Sequence, residues 1–534
     1  MRLFMISLVT AVAHIGAAQQ VDWLTSAPVA YTMNPSMPDQ VLTSAPGYLV
    51  GERQLSGVFV YGQSLYGQAV LEQIDAVTGT QNWSCQLFDS VNVGSAVVST
   101  DGIAYFAGSF MGSLGLCDGS ILGGVPNGGL WDENLFIIAV DLNTGLLQWT
   151  RNLSLTYDQE SMNTSLAIDP EGNLWYTIEE WGVGRVVRVD ANGDDVETRV
   201  IDGVRVFGTI SFDPWGGLYV SGSADNSGFA FGGQSYQNYG TTGYSMFVLR
   251  YRPEGTAGFA EFADDVTFHG PTVVATSDGH AYLAGDMLME GTNWGGIPFN
   301  GPDWDYAVFL TELDSTGQFL WGVESDPAGG TISGDMFRAK GPCIAVDASN
   351  NVYLMGTLRG TVDWGYGVVS NGLTVGVHTL TIVAFTPDGT PQWAATSQPF
   401  GMFNEARTIT ALAGEGAVHF AGHITSQFTF TPETTNIGGA QAAMVGRLDG
   451  LSTGVREVLA SSDLSAWPNP ATSVLNIDVA STNVMPGELL NSAGQRVRTI
   501  TLRPGRNAID VNALTKGLYL LRTADGRSVR VVKE

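Results

Sequence analysis

At 534 residues, 44% of them hydrophobic and only 14% charged, the chain has ample material for one large core or several and is not a disordered sequence. Its formal net charge of −28, from 24 basic and 52 acidic residues, repels phosphate backbones and anionic membrane surfaces, so nucleic acid is excluded as an expected partner. Three cysteines, Cys85, Cys117 and Cys343, build no disulfide framework. A Cys85–Cys117 bridge is open to an oxidising compartment, but widely spaced cysteines more commonly serve as small buried apolar residues.

Residues 1–18, MRLFMISLVTAVAHIGAA, combine Arg2, an apolar run from Leu3 to Ala13, and the small residues Gly16 and Ala18 ahead of Gln19. The run is too short to cross a bilayer and no second one follows, so we expect a cleaved secretory signal and no transmembrane span. Residues 19–29 are read as an N-terminal lead.

From there two short patterns recur in step. The first is a turn, an aromatic strand and a glycine: TDGIAYFAG, DPWGGLYVSG, TSDGHAYLAG, DASNNVYLMG and GEGAVHFAG place Tyr105, Tyr219, Tyr282, Tyr353 and His419 three residues before a glycine. Looser copies carry Tyr48 and Trp175. The second is a turn glycine followed by a bulky residue, ending at Trp83, Trp149, Trp321 and Trp393, with weaker copies at Phe259, Glu197 and Val458. The two series alternate strictly.

Each unit then reads as four antiparallel strands: a small-residue strand such as GSAVVS, then IAYFAGSF, a variable insert, FIIAVDL, an NTG turn and LQWTRNL. Sheets of this kind stacked face to face around an axis predict an all-β fold, a seven-bladed β-propeller over residues 30–460. The recurring Tyr and Trp are expected to fill the wedge between blades. The third unit, with Ile178 for glycine and Glu197 for Trp, predicts a tight hairpin without a long insert. The pattern resembles secreted bacterial propeller repeats of the SBBP type, whose motifs specify blade geometry and imply no activity.

The regular turns fall on one end of each blade, so the variable inserts gather on the other, where loops on a rigid scaffold commonly carry function. The inserts hold Trp131, Tyr236, Tyr239, Trp294, Trp304 and Trp364, with acids at Asp132, Glu133, Asp303 and Asp305. These aromatics either face a glycan or protein ligand or pin down the glycine-rich loops, and burial alone favours the second role. We find no H-E-x-x-H, G-x-S-x-G or P-loop, and expect no catalytic residue, cofactor or metal site. His419 and His423, four apart, read as structural, since His419 holds the repeat's Tyr position. Asp190 to Asp195 resembles the start of a calcium loop but lacks its Gly and Glu, and reads as a solvated hairpin tip. IAVDLNTGLLQWTRNL also looks like a quinoprotein dehydrogenase blade, although that family's vicinal cysteine pair is missing.

From Ser461 the balance reverses: residues 461–534 carry nine basic and six acidic residues, +3, against −31 for the rest. After a linker at 461–467, Pro468 and Pro470 flank Asn469 in a turn, and SVLNIDV, ELLNSAGQRVRTI, NAIDV, GLYLLRT and RSVRVVKE predict a small β-sandwich over 468–534. This stretch is similar to the C-terminal sorting domain of the type IX secretion system of Bacteroidetes-type bacteria. The matching residues are Pro468, Asn469, Pro470, Gly494, Gly517, Tyr519 and Lys533. The resemblance implies passage through the periplasm and export by the type IX machinery, with removal of the tail. The whole reads as a secreted or surface-attached, monomeric, non-catalytic binding module. An extracellular polysaccharide hydrolase or lyase is the alternative, and a quinoprotein-like oxidoreductase a remote one.

Overall fold

The computed structural model describes residues 20–533 apart from 32–39, 46, 55, 61–63, 127–132, 158–163, 226–227, 237–243, 266–269, 289–290, 300–306, 326–334, 340, 373–377, 399–404, 412–416, 425–426, 431–432, 437–440, 450–463, 480–484, 492–495 and 524–527. The fold is all-β: among the described residues, Leu153–Leu155 forms the one helical turn. The chain divides into two units, Met1–Leu451 and Ser452–Glu534.

In the first unit, alternating strands broken by Asp, Asn and Gly turns pair in antiparallel quartets. The first quartet is Gln40–Ala45, Tyr48–Gln54, Ser64–Asp75 and the start of Gln81–Val98; the end of that last strand opens the second, with Ile103–Gly115, Glu133–Asp141 and Leu147–Asn152. Next come Leu166–Ile168 through Asp195–Asp202, Val204–Phe212 through Ala257–Asp264, and Thr272–Ala275 through Phe319–Glu324. A sixth runs from Ile344–Val346 to Pro391–Thr396. The last joins Glu405–Ala411, Val418–Ile424 and Gln441–Asp449 to a strand from the other end of the unit, Gln20–Tyr31.

That pairing corrects the expected lead. Gln20–Val29 lies antiparallel along Gln441–Asp449, because VDWLTS has the alternation and the Trp of a fourth strand. Trp23 therefore fills the position sought at Val458, which lies outside the described residues. Gln20–Tyr31 continues into a short parallel pairing with Ser56–Gly57, so the last, first and second quartets form one continuous sheet.

The first strand of each quartet lies against the first strand of the next, and Glu405–Ala411 returns to lie against Gln40–Ala45. Their small-residue composition has a reason: hydroxyls satisfy backbone groups between neighbours. Ser95 Oγ accepts from Leu166 N (3.1 Å), Ser165 Oγ from Ile210 N (3.2 Å) and Thr209 Oγ1 from Val273 N (2.7 Å), while Ser44 Oγ donates to Ala411 O (3.0 Å).

The recurring aromatics pack as wedges. Ring centroids lie 5.9 Å apart for Tyr105–Trp149, 6.3 Å for Tyr219–Phe259, 5.9 Å for Tyr282–Trp321, 6.0 Å for Tyr353–Trp393 and 5.9 Å for His419–Trp23. Outer rings also reach the following quartet: Trp83 Nε1 donates to Leu142 O at 2.7 Å and Trp321 Nε1 to Pro387 O at 2.9 Å. In the third quartet Glu197 pairs with Arg188, and the Arg199 guanidinium sits 4.5 Å from the Trp175 ring centroid.

In the second unit a three-stranded sheet (Leu464–Trp467, Val474–Val479, Gly505–Asp510) and a four-stranded one (Arg496–Leu502, Met485–Asn491, Gly517–Thr523, Ser528–Lys533) share one core. Leu475, Ile477, Leu489, Leu502, Ile509, Tyr519, Leu521 and Val531 build it. Residues 464–467, expected as linker, are the first strand of this unit, because Leu464–Trp467 pair with Asn476–Val479.

The cysteines divide between the two roles open to them. Cys85 and Cys117 are joined in a disulfide, while Cys343 is free and buried. Cys85 sits on the strand shared by the first two quartets and Cys117 in the turn after Ile103–Gly115, which folds back beside it.

Candidate functional site

The Asp-rich turns join first to second and third to fourth strands, so antiparallel parity puts every second-to-third connection on the opposite rim. In four quartets that connection folds into a small hairpin: Phe229–Phe231 with Gln234–Tyr236, Asn293–Trp294 with Ile297–Pro298, Thr361–Gly365 with Val368–Asn371, and Gln427–Phe430 with Glu433–Asn436.

Of the aromatics singled out in these inserts, the three among the described residues pack on their own blades. Trp294 is 0% exposed and packs 5.9 Å from Phe309 and 5.5 Å from Phe319. Trp364 is buried against Phe385, and its Nε1 donates to Ser370 Oγ at 2.8 Å. Half-buried Tyr236 rests on Phe229 and Phe262, and its hairpin pairs with Asp202 of the preceding quartet. A ring enclosed by its own blade offers no plane to a ligand, so Trp294 and Trp364 fasten the loops. Trp131, Tyr239 and Trp304, with Asp132, Asp303 and Asp305, lie outside the described residues, and Glu133 is buried.

Two other aromatics on this rim are open. Trp181 is 67% exposed and Tyr366 86% exposed. Each occupies the first position of a two-residue hairpin turn, with φ of 50° and 52°, before Gly182 and Gly367. Glycine, Asn or Asp is the ordinary occupant of such a site, and a bulky residue there costs roughly 1–2 kcal/mol. The Trp-Gly and Tyr-Gly pairs between short strands were the available signal. The Trp181 turn also confirms the tight third hairpin.

Titratable groups elsewhere serve the scaffold. His419 is buried with Nε2 3.0 Å from Ala76 O, and burial pushes its pKa down to about 4. Asp190 Oδ1 accepts from Asn192 N and Asp194 N, a closed turn. Asp195 instead takes Arg151 Nη2 at 2.8 Å, Tyr157 OH at 2.7 Å and Tyr176 OH at 3.0 Å. Burial alone would raise its pKa, and these hydrogen bonds more than reverse that, leaving it below the ordinary value. Among the described residues no cluster of three His, Cys, Asp or Glu is placed to hold a metal.

In the second unit, Asn469 Oδ1 accepts from Val532 N at 2.8 Å, and Ala471 N donates to Val532 O at 2.7 Å, so the Pro468–Pro470 turn is tied to the last strand. Tyr519 is buried, its hydroxyl donating to Thr515 O at 2.8 Å; Gly517 starts that strand, and Lys533 bridges Ala471. Gly494 lies outside the described residues. Residues 465–534 match the family model of the secretion system C-terminal sorting domain. The sorting domain marks the chain for export to the cell surface or beyond and implies interaction with the type IX machinery. Among the described residues no helix is long and apolar enough to cross a membrane.

No curated protein matches the chain. Among solved structures, virginiamycin B lyase from Staphylococcus aureus is similar at 10% identity and a TM-score of 0.38, over 80% of this chain and 99% of that one. Quinohemoprotein alcohol dehydrogenase from Comamonas testosteroni is similar at 11% identity and a TM-score of 0.33, over 85% and 79%.

Proposed function

We propose that the first unit is a seven-bladed β-propeller of SBBP-like repeats, exported by its C-terminal sandwich and acting outside the cell as a monomeric, non-catalytic binding module. The quartets, their first strands in sequential contact, and the Gln20–Tyr31 strand completing the last of them support the ring. A fourth strand drawn from the other end of the unit covers the Gln441–Asp449 edge of the last quartet.

The observation that carries the binding function is the pair Trp181 and Tyr366. Both are exposed aromatic planes held in a costly left-handed conformation on the insert rim, where packing gains nothing from them. Such planes hold the apolar faces of a glycan or a peptide without supplying a nucleophile or proton. With a net charge of −28 the ligand is neutral or basic.

The test is a glycan and protein array probed with the secreted protein, then with Trp181→Ala and Tyr366→Ala, using Trp215→Ala on the opposite rim as control. The reading holds if the two rim variants lose an array signal that the control keeps. It fails if all three bind alike. Turnover of any captured glycan would instead favour the hydrolase or lyase.

A further inference from the structure

Several residues of the sorting motif serve the fold of the domain itself. Asn469 is tied to the last strand, Tyr519 is in the core, and Lys533 is buried beside Ala471. These three serve the fold, and the domain also presents an outer surface that its fold does not use.

The four-stranded sheet turns Leu489, Leu502, Tyr519, Leu521 and Val531 inward. Alternation sends Leu490, Leu518, Leu520 and Val532 to its outer face. Leu490 stands opposite Leu520, and Leu518 opposite Val532, so the four form one apolar patch across three strands. Leu518 is 48% exposed and Val532 38% exposed, although each could have been polar at no cost to the core. Arginines occupy the ends of the central row: Arg496 is across from Leu490, and Arg530 across from Leu520.

We propose that this outer face, centred on Leu518 and Val532, is where the sorting domain docks on a protein of the type IX export machinery, against an apolar surface rimmed by carboxylates. Charge selects that partner. Residues 461–534 carry +3 and the remainder −31, so an acidic rim attracts the tail and repels the cargo behind it.

The test introduces Leu518→Glu and Val532→Glu into the full chain in the producing bacterium, with Val474→Glu, an exposed site on the other sheet, as control. The fraction exported is measured by immunoblotting cell surface and medium against periplasm. We expect export to fall at least tenfold for the first two, with precursor held in the periplasm, and to stay at the wild-type level for Val474→Glu. If thermal melting shows that either Glu variant is unfolded, Leu518→Ser with an intact melt decides instead. Wild-type export of the folded Leu518 and Val532 variants, or an equal loss from Val474→Glu, overturns the proposal.

Discussion

The indole of Trp23 lies over Gly79, so closely that a Cβ on the glycine would come within 2.8 Å of the ring. Trp23 Nε1 also reaches Ala76 O, at 3.3 Å. Trp83 covers Gly145 and Trp149 covers Gly193 in the same way, at 2.9 Å each. Here, however, the ring belongs to a strand paired with Gln441–Asp449, so one contact joins the last quartet to the first. Trp23→Ala is expected to destabilise the first unit by about 2–4 kcal/mol in urea unfolding. Gly79→Ala, strained at φ 71° and clashing with the ring, should cost about 1–3 kcal/mol. Because both remove one contact, the double variant should lose less than the sum.

His419 beside this seam gives a pH dependence. Its folded pKa of about 4 lies below the ordinary 6.5, so between these values the unfolded chain binds a proton that the folded one does not. Its contribution is therefore full above pH 6.5 and is lost as pH falls toward 4, by about 3 kcal/mol. His419→Gln should flatten that part of the stability profile. A profile unchanged by the substitution would rule the effect out.

Asp195 gives a second pH dependence of the same sign. Arg151, Tyr157 and Tyr176 converge on it, linking the second and third quartets. Asp195→Asn should cost roughly 2–3 kcal/mol at pH 7. Its lowered pKa means that the wild-type advantage is present above the ordinary carboxylate value and disappears as pH falls through the folded one. Urea midpoints at neutral and acid pH check both statements.

The Cys85–Cys117 bridge closes a separation of 32 residues and should contribute about 2–4 kcal/mol. Replacing both cysteines with Ser should lower the melting temperature, whereas Cys343, fully buried, should resist alkylation until the chain unfolds.

Trp294 and Trp181 should separate cleanly. Trp294→Ala empties a core site and should cost about 3–5 kcal/mol. Trp181→Ala, at an exposed turn, keeps a Cβ in the same left-handed conformation, so it should leave the melting temperature unchanged and affect ligand capture alone.

Local order was legible in the residues alone. Alternation set the strands, the turn glycines set their ends, and the strict interleaving of Tyr105, Tyr219, Tyr282 and Tyr353 with Trp149, Trp321 and Trp393 marked which strands would touch, because those pairs recur at a nearly constant spacing. The sorting tail was legible for the same reason, as a continuous run from 465 to 534. Tertiary structure alone decided what depends on distant partners. Thr25 meets Val445 across 420 residues, which no local period announces, so a completing strand looked like a lead. In the inserts, paired glycines break the alternation, and whether Trp294 or Tyr366 faces the core then depends on the rings that the neighbouring strands supply.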